Sequence, residues 1–392
     1  MNPAPAAPDT LAAFEPLNDC EREMCRVAPL GGSVRPPGRP AGPADVTVRA
    51  ALVRLVAIER DPALRLHESG LRLVGMIVDG DLDLGGCEVR RGLSFERCGL
   101  GYVGLFDARL AKLAFENCRI GRLAGDRGGL GALFLRDCIV EAGVHLMGVR
   151  IDGDLDCSRS RITAQDPADA QDFGRRQALA LDNTKVGGAF FLRETRIDGS
   201  VTADSMAVAQ LMSASRCRVE RGRWAMHSAT IGGDLELDGA AFSTQGPGQA
   251  LLRPASLLLA GARIGGSLLM TAGFEADGPV DLSDARVAGH LGVRGACFRG
   301  VHAFAIVAQR LAVDGVFDLD PTTRFLRPES APGAPPALDF TAATLGGISC
   351  EGGAWPRGNR VHGLRYGGIV GATPTRARWW IDWLQRQVPE DL

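Results

Sequence analysis

The chain has 392 residues, with 51 glycines, 2 tyrosines, and 44 Lys+Arg against 46 Asp+Glu. A formal charge of −2 gives no global pull toward nucleic acid, and no acidic excess of the kind that imitates it. No run of about 18 apolar residues occurs, so no spanning helix is expected, and MNPAPAAPDTLAAFEPL lacks the basic-then-apolar order of a signal peptide.

Residues 1–44 read as a flexible N-terminal segment. It holds one short helix, from Thr10 to about Val27, and a Gly/Pro linker, PLGGSVRPPGRPAGP, over residues 29–43. Residues 45–70 read as a capping unit with a helix from Asp45 to Glu59. Asp45 is its expected N-cap, and Val48, Leu52, Leu55 and Val56 form one apolar stripe at helical spacing. Such a helix can cover the open end of a solenoid, or serve as a partner-binding helix.

Residues 71–350 carry a repeat. From Phe95 to Leu146 the inward candidates Leu100, Leu105, Leu110, Phe115, Ile120, Leu130, Leu135 and Val140 fall five apart, with Gly125 out of type. A second beat of small or apolar residues, including Cys98, Val103, Leu113, Cys118 and Cys138, runs two positions earlier. Neither helix nor flat strand has a period of five. A square coil does, with five residues to a side. Elsewhere the consensus is apolar, any, Gly, polar, Leu, polar, Leu, as in Ile151–Cys157, Ile231–Leu237 and Ile264–Met270. Eleven-residue steps such as Val140 to Ile151 make coils of about 20–23 residues stacked about 4.8 Å apart. The expectation is an all-β solenoid, a right-handed parallel quadrilateral β-helix of 11 or 12 coils, roughly 50–60 Å long, with α-helical caps at both termini. On this reading most of the ten cysteines are buried free thiols, which points to a reducing, cytoplasmic setting.

Three polar or Pro-rich stretches break the beat: 163–177, 243–254 and 320–336. They read as loops from corners, either tolerated insertions or places for function. Residues 351–392 read as a Trp-rich C-terminal cap. Trp355 lies in the turn Gly352–Pro356, and Thr375–Gln387 reads as a helix with Trp379, Trp380, Trp383 and Leu384 as its apolar face. These five residues are the interaction candidates. The cap is read as a plug, as a surface for self-association or an unidentified protein partner, or as a peripheral membrane contact.

The search for chemistry gives no catalytic, cofactor-binding or metal residues to nominate. GxxxxGK[ST], HExxH and CxxC are absent, and the glycine pairs fall on repeat turns. Two charge columns stand out. Basic residues precede the apolar centres (Arg109, Arg119, Arg150, Lys185, Arg196, Arg263, Arg286), and acidic residues follow them (Asp79, Asp81, Asp152, Asp154, Asp198, Asp234). Arg150 with Asp152 and Arg196 with Asp198 are expected outward pairs in a neutralising ladder, worth about 0–1 kcal/mol each. Asp83, Asp156 and Glu236, read in one register, are the nominees for a sugar-active carboxylate cluster. A phosphate-binding ridge of arginines is the other functional reading of these columns, with nucleic acid disfavoured by the interleaved acids.

The repeat resembles the pentapeptide-repeat family. GARIGGSLLM, ATIGGDLELDGA, ALDFTAATLGGI, the AWP turn, HGLRYGGI and RARWWIDWLQRQ resemble, more narrowly, a bacterial group labelled "membrane-associated oxidoreductase" or left uncharacterised. The likeness runs from about Val46 to Gln387. It implies the right-handed quadrilateral β-helix, a redox activity by label, and membrane association in members that continue beyond the WLxRQ-like segment. Some pentapeptide proteins mimic DNA toward topoisomerases. The reading drawn from all this is a non-catalytic scaffold for protein–protein interaction without a cofactor; a β-helix enzyme and a topoisomerase-directed mimic are the alternatives.

Overall fold

The computed structural model describes residues 10–38, 42–62, 64–165, 176–244, 254–300, 303–327, 336–350, 354–370 and 377–387. The chain winds as a parallel β-solenoid of about 12 turns, with small helices near its termini. Among the described residues two strand sets, of 22 and 21 members, carry the ladders. One turn shows the plan. Leu110 centres face 1, Leu113 and Phe115 line face 2, Ile120 centres face 3, and Leu123 opens face 4. In the next turn Leu130, Leu133, Leu135, Val140 and Val144 sit directly above them, and all are buried. Alternation along each short strand sends the beat residues inward and their neighbours out. Gly125 belongs to this beat after all, because a Cβ there would lie 2.5 Å from the Cβ of Leu105.

The corners are of two kinds. Arg97, Asp107, Asn117, Arg127 and Asp137 recur every ten residues with φ of 51, 54, 53, 58 and 54°. They are single left-handed residues turning face 2 into 3 and face 4 into 1. Between faces 1 and 2 the demand is for space. A Cβ at Gly131 would stand 2.0 Å from the Ala111 carbonyl oxygen, and one at Gly232 2.1 Å from that of Ala209. The glycine of the repeat consensus stands one position further on in the same corner, as at Gly153, where a Cβ would lie 2.8 Å from the Gly131 carbonyl oxygen.

At the entry to face 3, Cys98, Cys118, Cys138, Ser160, Thr195 and Cys217 stack in successive turns. They do more than fill. The Ser160 hydroxyl donates to the Leu135 carbonyl (2.6 Å), Thr195 donates to that of Cys157 (2.8 Å), and the Cys118 thiol reaches that of Phe95 (3.3 Å). A small side chain with one donor satisfies a carbonyl of the turn below, so thiol and hydroxyl interchange. The nine cysteines whose side chains are described form no disulfide. In the later turns aromatic rings take over the core. Trp224, Phe242, Phe274, Phe298 and Phe325 form a spine with centroid steps of 5.5, 5.6, 5.8 and 5.5 Å.

The N-terminal end differs from the sequence expectation. The helix following Asp45 is shorter and later: helix α2 runs Ala50–Ala57, while Thr47–Arg49 is a strand parallel to Ile77–Asp79. Val48 is buried as a strand residue, and Leu52, Leu55 and Val56 are buried from the helix. Asp45 caps a 3-10 turn at Pro43–Val46, accepting from the Gly42 N–H at 3.1 Å. Ser33–Val34, inside the expected linker, pairs with Arg72–Leu73. Helix α1 is Asp19–Val27, with Asn18 and Glu21 forming its capping box. Among the described residues no helix is long and apolar enough to cross a membrane.

Candidate functional site

The three beat-breaking stretches share one corner. Thr163 and Gln177, Ser243 and Leu257, and Leu326 and Ala337 each end face 3 and open face 4 of one turn. Residues 166–175, 245–253 and 328–335 lie outside the described residues. The third stretch is shorter than its composition suggested. Asp320 organises a turn, accepting from the Gly295 and Thr322 N–H groups (both 3.2 Å), and Arg324–Leu326 then rejoins the ladder beside Cys297–Arg299.

At the C-terminal end the strands Arg365–Tyr366 and Ile369–Val370 pair with Thr344–Cys350. Trp355 drops onto the core, its ring 5.9 Å from Phe317 and 6.1 Å from Phe340. Helix α3, Ala377–Leu384, lays Trp383 over Trp355 at 6.0 Å, and Trp383 also meets Tyr366 and Trp380. Polar contacts fix the helix. Arg386 donates to the Trp355 carbonyl (2.6 Å) and to Asp382 (2.9 Å), and the Gly358 N–H donates to the Arg386 carbonyl (2.7 Å). Of the five candidates, Trp355 and Trp383 are therefore buried, Trp379 and Trp380 are half-buried against each other, and Leu384 is exposed. The end face also exposes Tyr366 (38%), Val370 (49%) and Ile381 (54%). Val370 and Ile381 escaped the sequence reading because the tryptophans dominate that segment's composition. Residues 371–376, including the first two of the expected helix Thr375–Gln387, lie outside the described residues.

The charge columns separate onto two faces. Arg109, Arg150, Lys185, Arg263 and Arg286 belong to face 1, while Arg119 and Arg196 belong to face 3 with Arg161 and Arg218. Arg150 meets Asp152 at 2.7 Å as expected. The Arg196–Asp198 pair does not form: Asp198 is held by Arg221 from the following turn. That is the general pattern. Arg127 pairs with Asp107 (3.2 Å), Arg159 with Asp137 (2.7 Å) and Arg310 with Asp284 (2.6 Å), each across one turn. The Arg159 guanidinium holds the Asp137 carboxyl below its usual range, and Arg310 does the same for Asp284.

The nominated carboxylates do not converge. Asp83 lies on face 4, beside Gly104, whereas Asp156 and Glu236 lie on face 2. The Leu–Asp pair opens both faces, so the sequence registers coincide while the sides differ. Asp156 is occupied by Arg136 (2.6 Å) and the Ser158 N–H (2.9 Å), and Glu236 stands 3.9 Å from Arg193. Among the described residues, no group of three His, Cys, Asp or Glu side chains is arranged to hold a metal ion. No family model, curated protein or solved structure matches the chain.

Proposed function

We propose that this chain is a non-catalytic β-solenoid scaffold for protein–protein association, with a second copy of itself docking at the C-terminal end face. The observation that carries the reading is the apolar cluster there: Tyr366 and Val370 on the last turn, Ile381 and Leu384 on α3, all exposed. Exposed apolar side chains gathered at one end of the rod support an association site there. Among the described residues no strand pairs with the outer edge of Arg365–Tyr366 or Ile369–Val370, and a strand edge of this kind is a template for a further chain. A copy docking end to end would cover both the rings and the edge. The enzymatic alternative has weaker geometric support, since Asp83 lies on face 4 away from Asp156 and Glu236 on face 2, and Asp156 is already bound by Arg136. The mimic reading is weakened by the arginine that pairs with each of Asp107, Asp137 and Asp284.

Light scattering on the purified chain tests this. The expected mass is twice the 41.4 kDa of one chain. The double variant Ile381→Lys, Leu384→Lys, whose side chains are exposed and not needed for the core, should weigh as a monomer. A wild-type chain that stays monomeric at every concentration overturns the self-docking reading.

A further inference from the structure

Face 3 carries three arginines directly above one another. Arg161 is in register with Arg196, and Arg196 with Arg218, so the three occupy successive turns about 4.8 Å apart in rise. All three are exposed, and among the described residues none has a carboxylate partner. Ile139 precedes the stack in the same column, and Ala241 follows it.

Like charges directly opposite each other oppose strand pairing, and this column pairs its charges elsewhere. Arg119 meets Glu141, and Glu275 meets Arg299 at 3.1 Å, each partner standing in the following turn. Within the stack the acids are diverted or replaced. Asp198, diagonally above Arg161, is held by Arg221 and stands 3.6 Å from Arg176. Ser243 takes the corresponding place above Arg218. Glu220, diagonally above Arg196, forms no ion pair among the described residues and offsets at most one of the three charges. A local conflict of this kind, in a ladder that avoids it elsewhere, is expected at a functional site.

We propose that this stack binds a condensed phosphate chain, a short oligophosphate that is either free or carried by a nucleotide. Geometry and charge density select this class. A guanidinium fork donates two parallel hydrogen bonds to a phosphate, and here three forks fall within a span of roughly 10 Å. The outer oxygens of three phosphates joined through bridging oxygens nearly cover that span, so no arginine is left without an anionic oxygen. Carboxylates on one side of an extended peptide recur about every 6.6 Å, so only two fall within the stack. Single-stranded nucleic acid is held on aromatic platforms, whereas this stack is flanked by Ile139 and Ala241. Beyond Ala241 the column turns acidic at Glu275 and Asp277, which limits the ligand to a short chain. The stack lies on the side of the rod, away from the end face, so this proposal stands apart from end-face docking.

Calorimetric titration of the full chain with tripolyphosphate, a nucleoside triphosphate, orthophosphate and a short oligo-glutamate peptide decides the matter. Tripolyphosphate should bind less tightly as salt rises, and at least about tenfold more tightly than orthophosphate. Arg196→Gln with Arg218→Gln should weaken its binding at least about tenfold. Arg263→Gln with Arg286→Gln, which removes the same charge from two neighbouring turns of face 1, should leave it unchanged. All four side chains are exposed, so the variants should fold, and matching thermal melts would verify that. A nucleoside triphosphate that binds at least as tightly as tripolyphosphate supports a nucleotide-borne chain, and weaker binding supports a free one. The proposal is overturned by any of four results: no tripolyphosphate binding at low salt, equal binding of orthophosphate, equal losses from the two double variants, or tighter binding of the peptide.

Discussion

Arg49 closes on Glu21 as a fork on a carboxylate, with Nε 2.6 Å from Oε1 and Nη2 2.6 Å from Oε2. Glu21 belongs to α1 and is buried; Arg49 ends the first strand of face 3. The same guanidinium donates to the Phe14 carbonyl at 2.6 Å, and the Asn18 and Arg49 N–H groups (both 3.1 Å) complete the carboxylate's partners. One ion pair thus ties the N-terminal cap to the solenoid.

Removing the fork should loosen that cap. Arg49→Ala leaves a buried carboxylate unpaired and is expected to cost about 3–5 kcal/mol, whereas Glu21→Gln, which keeps the shape, should cost roughly 1–3 kcal/mol. Burial pushes the Glu21 carboxyl up, but Arg49 and the backbone donors outweigh it and hold the group below its ordinary range. Its stabilisation is therefore full above the unfolded value, about pH 4.3, and is lost as pH falls through the lower folded value. Urea denaturation across that window should show a steeper acid loss in the wild type than in Glu21→Gln. Equal stability of Arg49→Ala and wild type would sink the clamp.

The two kinds of corner predict opposite tolerance to the same change. Gly148 has φ of +66°, and a methyl placed there would meet nothing within 4 Å, so Gly148→Ala should cost about 1–2 kcal/mol from backbone strain alone. Gly148→Asn should cost less, as Asn117 and Asn183 sit in equivalent corners. Gly232→Ala drives a methyl into the Ala209 carbonyl and should cost about 3 kcal/mol or more. Stability should therefore fall from Gly148→Asn through Gly148→Ala to Gly232→Ala, read as melting temperatures; a Gly232→Ala chain as stable as Gly148→Ala contradicts the close-approach account.

The rod itself was legible because its inward residues repeat at a period that only a square coil satisfies. Which face a residue belongs to was not. Leu82–Asp83 and Leu155–Asp156 read alike yet open faces 4 and 2, since every side is written in the same five letters. The Arg196–Asp198 pair was misread for a related reason. Partners such as Asp198 and Arg221 are 23 residues apart in sequence but one turn apart in space. At the N-terminus the apolar stripe was right and the element was partly wrong, because Val48 is buried by pairing with Val78, a contact that local spacing does not encode. At the C-terminus the tryptophans were easy to single out, but one residue type serves both as plug, at Trp355, and as partly covered rim, at Trp380.

Trp355 should behave as a core residue. It seals Phe317 and Phe340 and carries Trp383 on its other side. Trp355→Ala is expected to cost about 3–5 kcal/mol and to raise hydrogen exchange over residues 338–370 before the central turns open. Protection unchanged in that segment would show that the plug is dispensable.

Thiol labelling should divide the described cysteines by burial. Burial pushes the Cys217 thiol up to about 12 and that of half-buried Cys25 up to about 11, so neither supplies much thiolate in a mildly alkaline buffer. Cys87 is half-buried, with the Arg54 guanidinium 3.4 Å from its sulfur. Mass-mapped alkylation of the native chain should find Cys87 ahead of Cys25, with Cys98, Cys118, Cys138, Cys157 and Cys217 labelled only after denaturant is added. Early labelling of the buried column would mean that the turns open readily.

His145 gives the rod a second acid-sensitive point. On face 4 its Nδ1 lies 3.0 Å from Arg122 Nη2 and its Nε2 lies 3.2 Å from the Gln177 carbonyl. Arginine can only donate, so Nδ1 accepts and Nε2 carries the proton, which makes the ring neutral. Burial lowers the tendency of this ring to protonate, the Arg122 charge lowers it further, and the Gln177 carbonyl and the Asp126 carboxylate partly oppose them. The unfolded chain therefore binds this proton more readily than the folded one. The neutral-ring stabilisation is full above about pH 6.5, falls as pH drops below that value, and levels off below the folded value. His145→Gln keeps an acceptor for Arg122 and a donor for Gln177 but does not titrate. Thermal melts taken between neutral pH and the carboxylate range should show the wild type losing more stability than His145→Gln, with the two converging at neutral pH. Parallel curves for the two chains would remove His145 from the acid response.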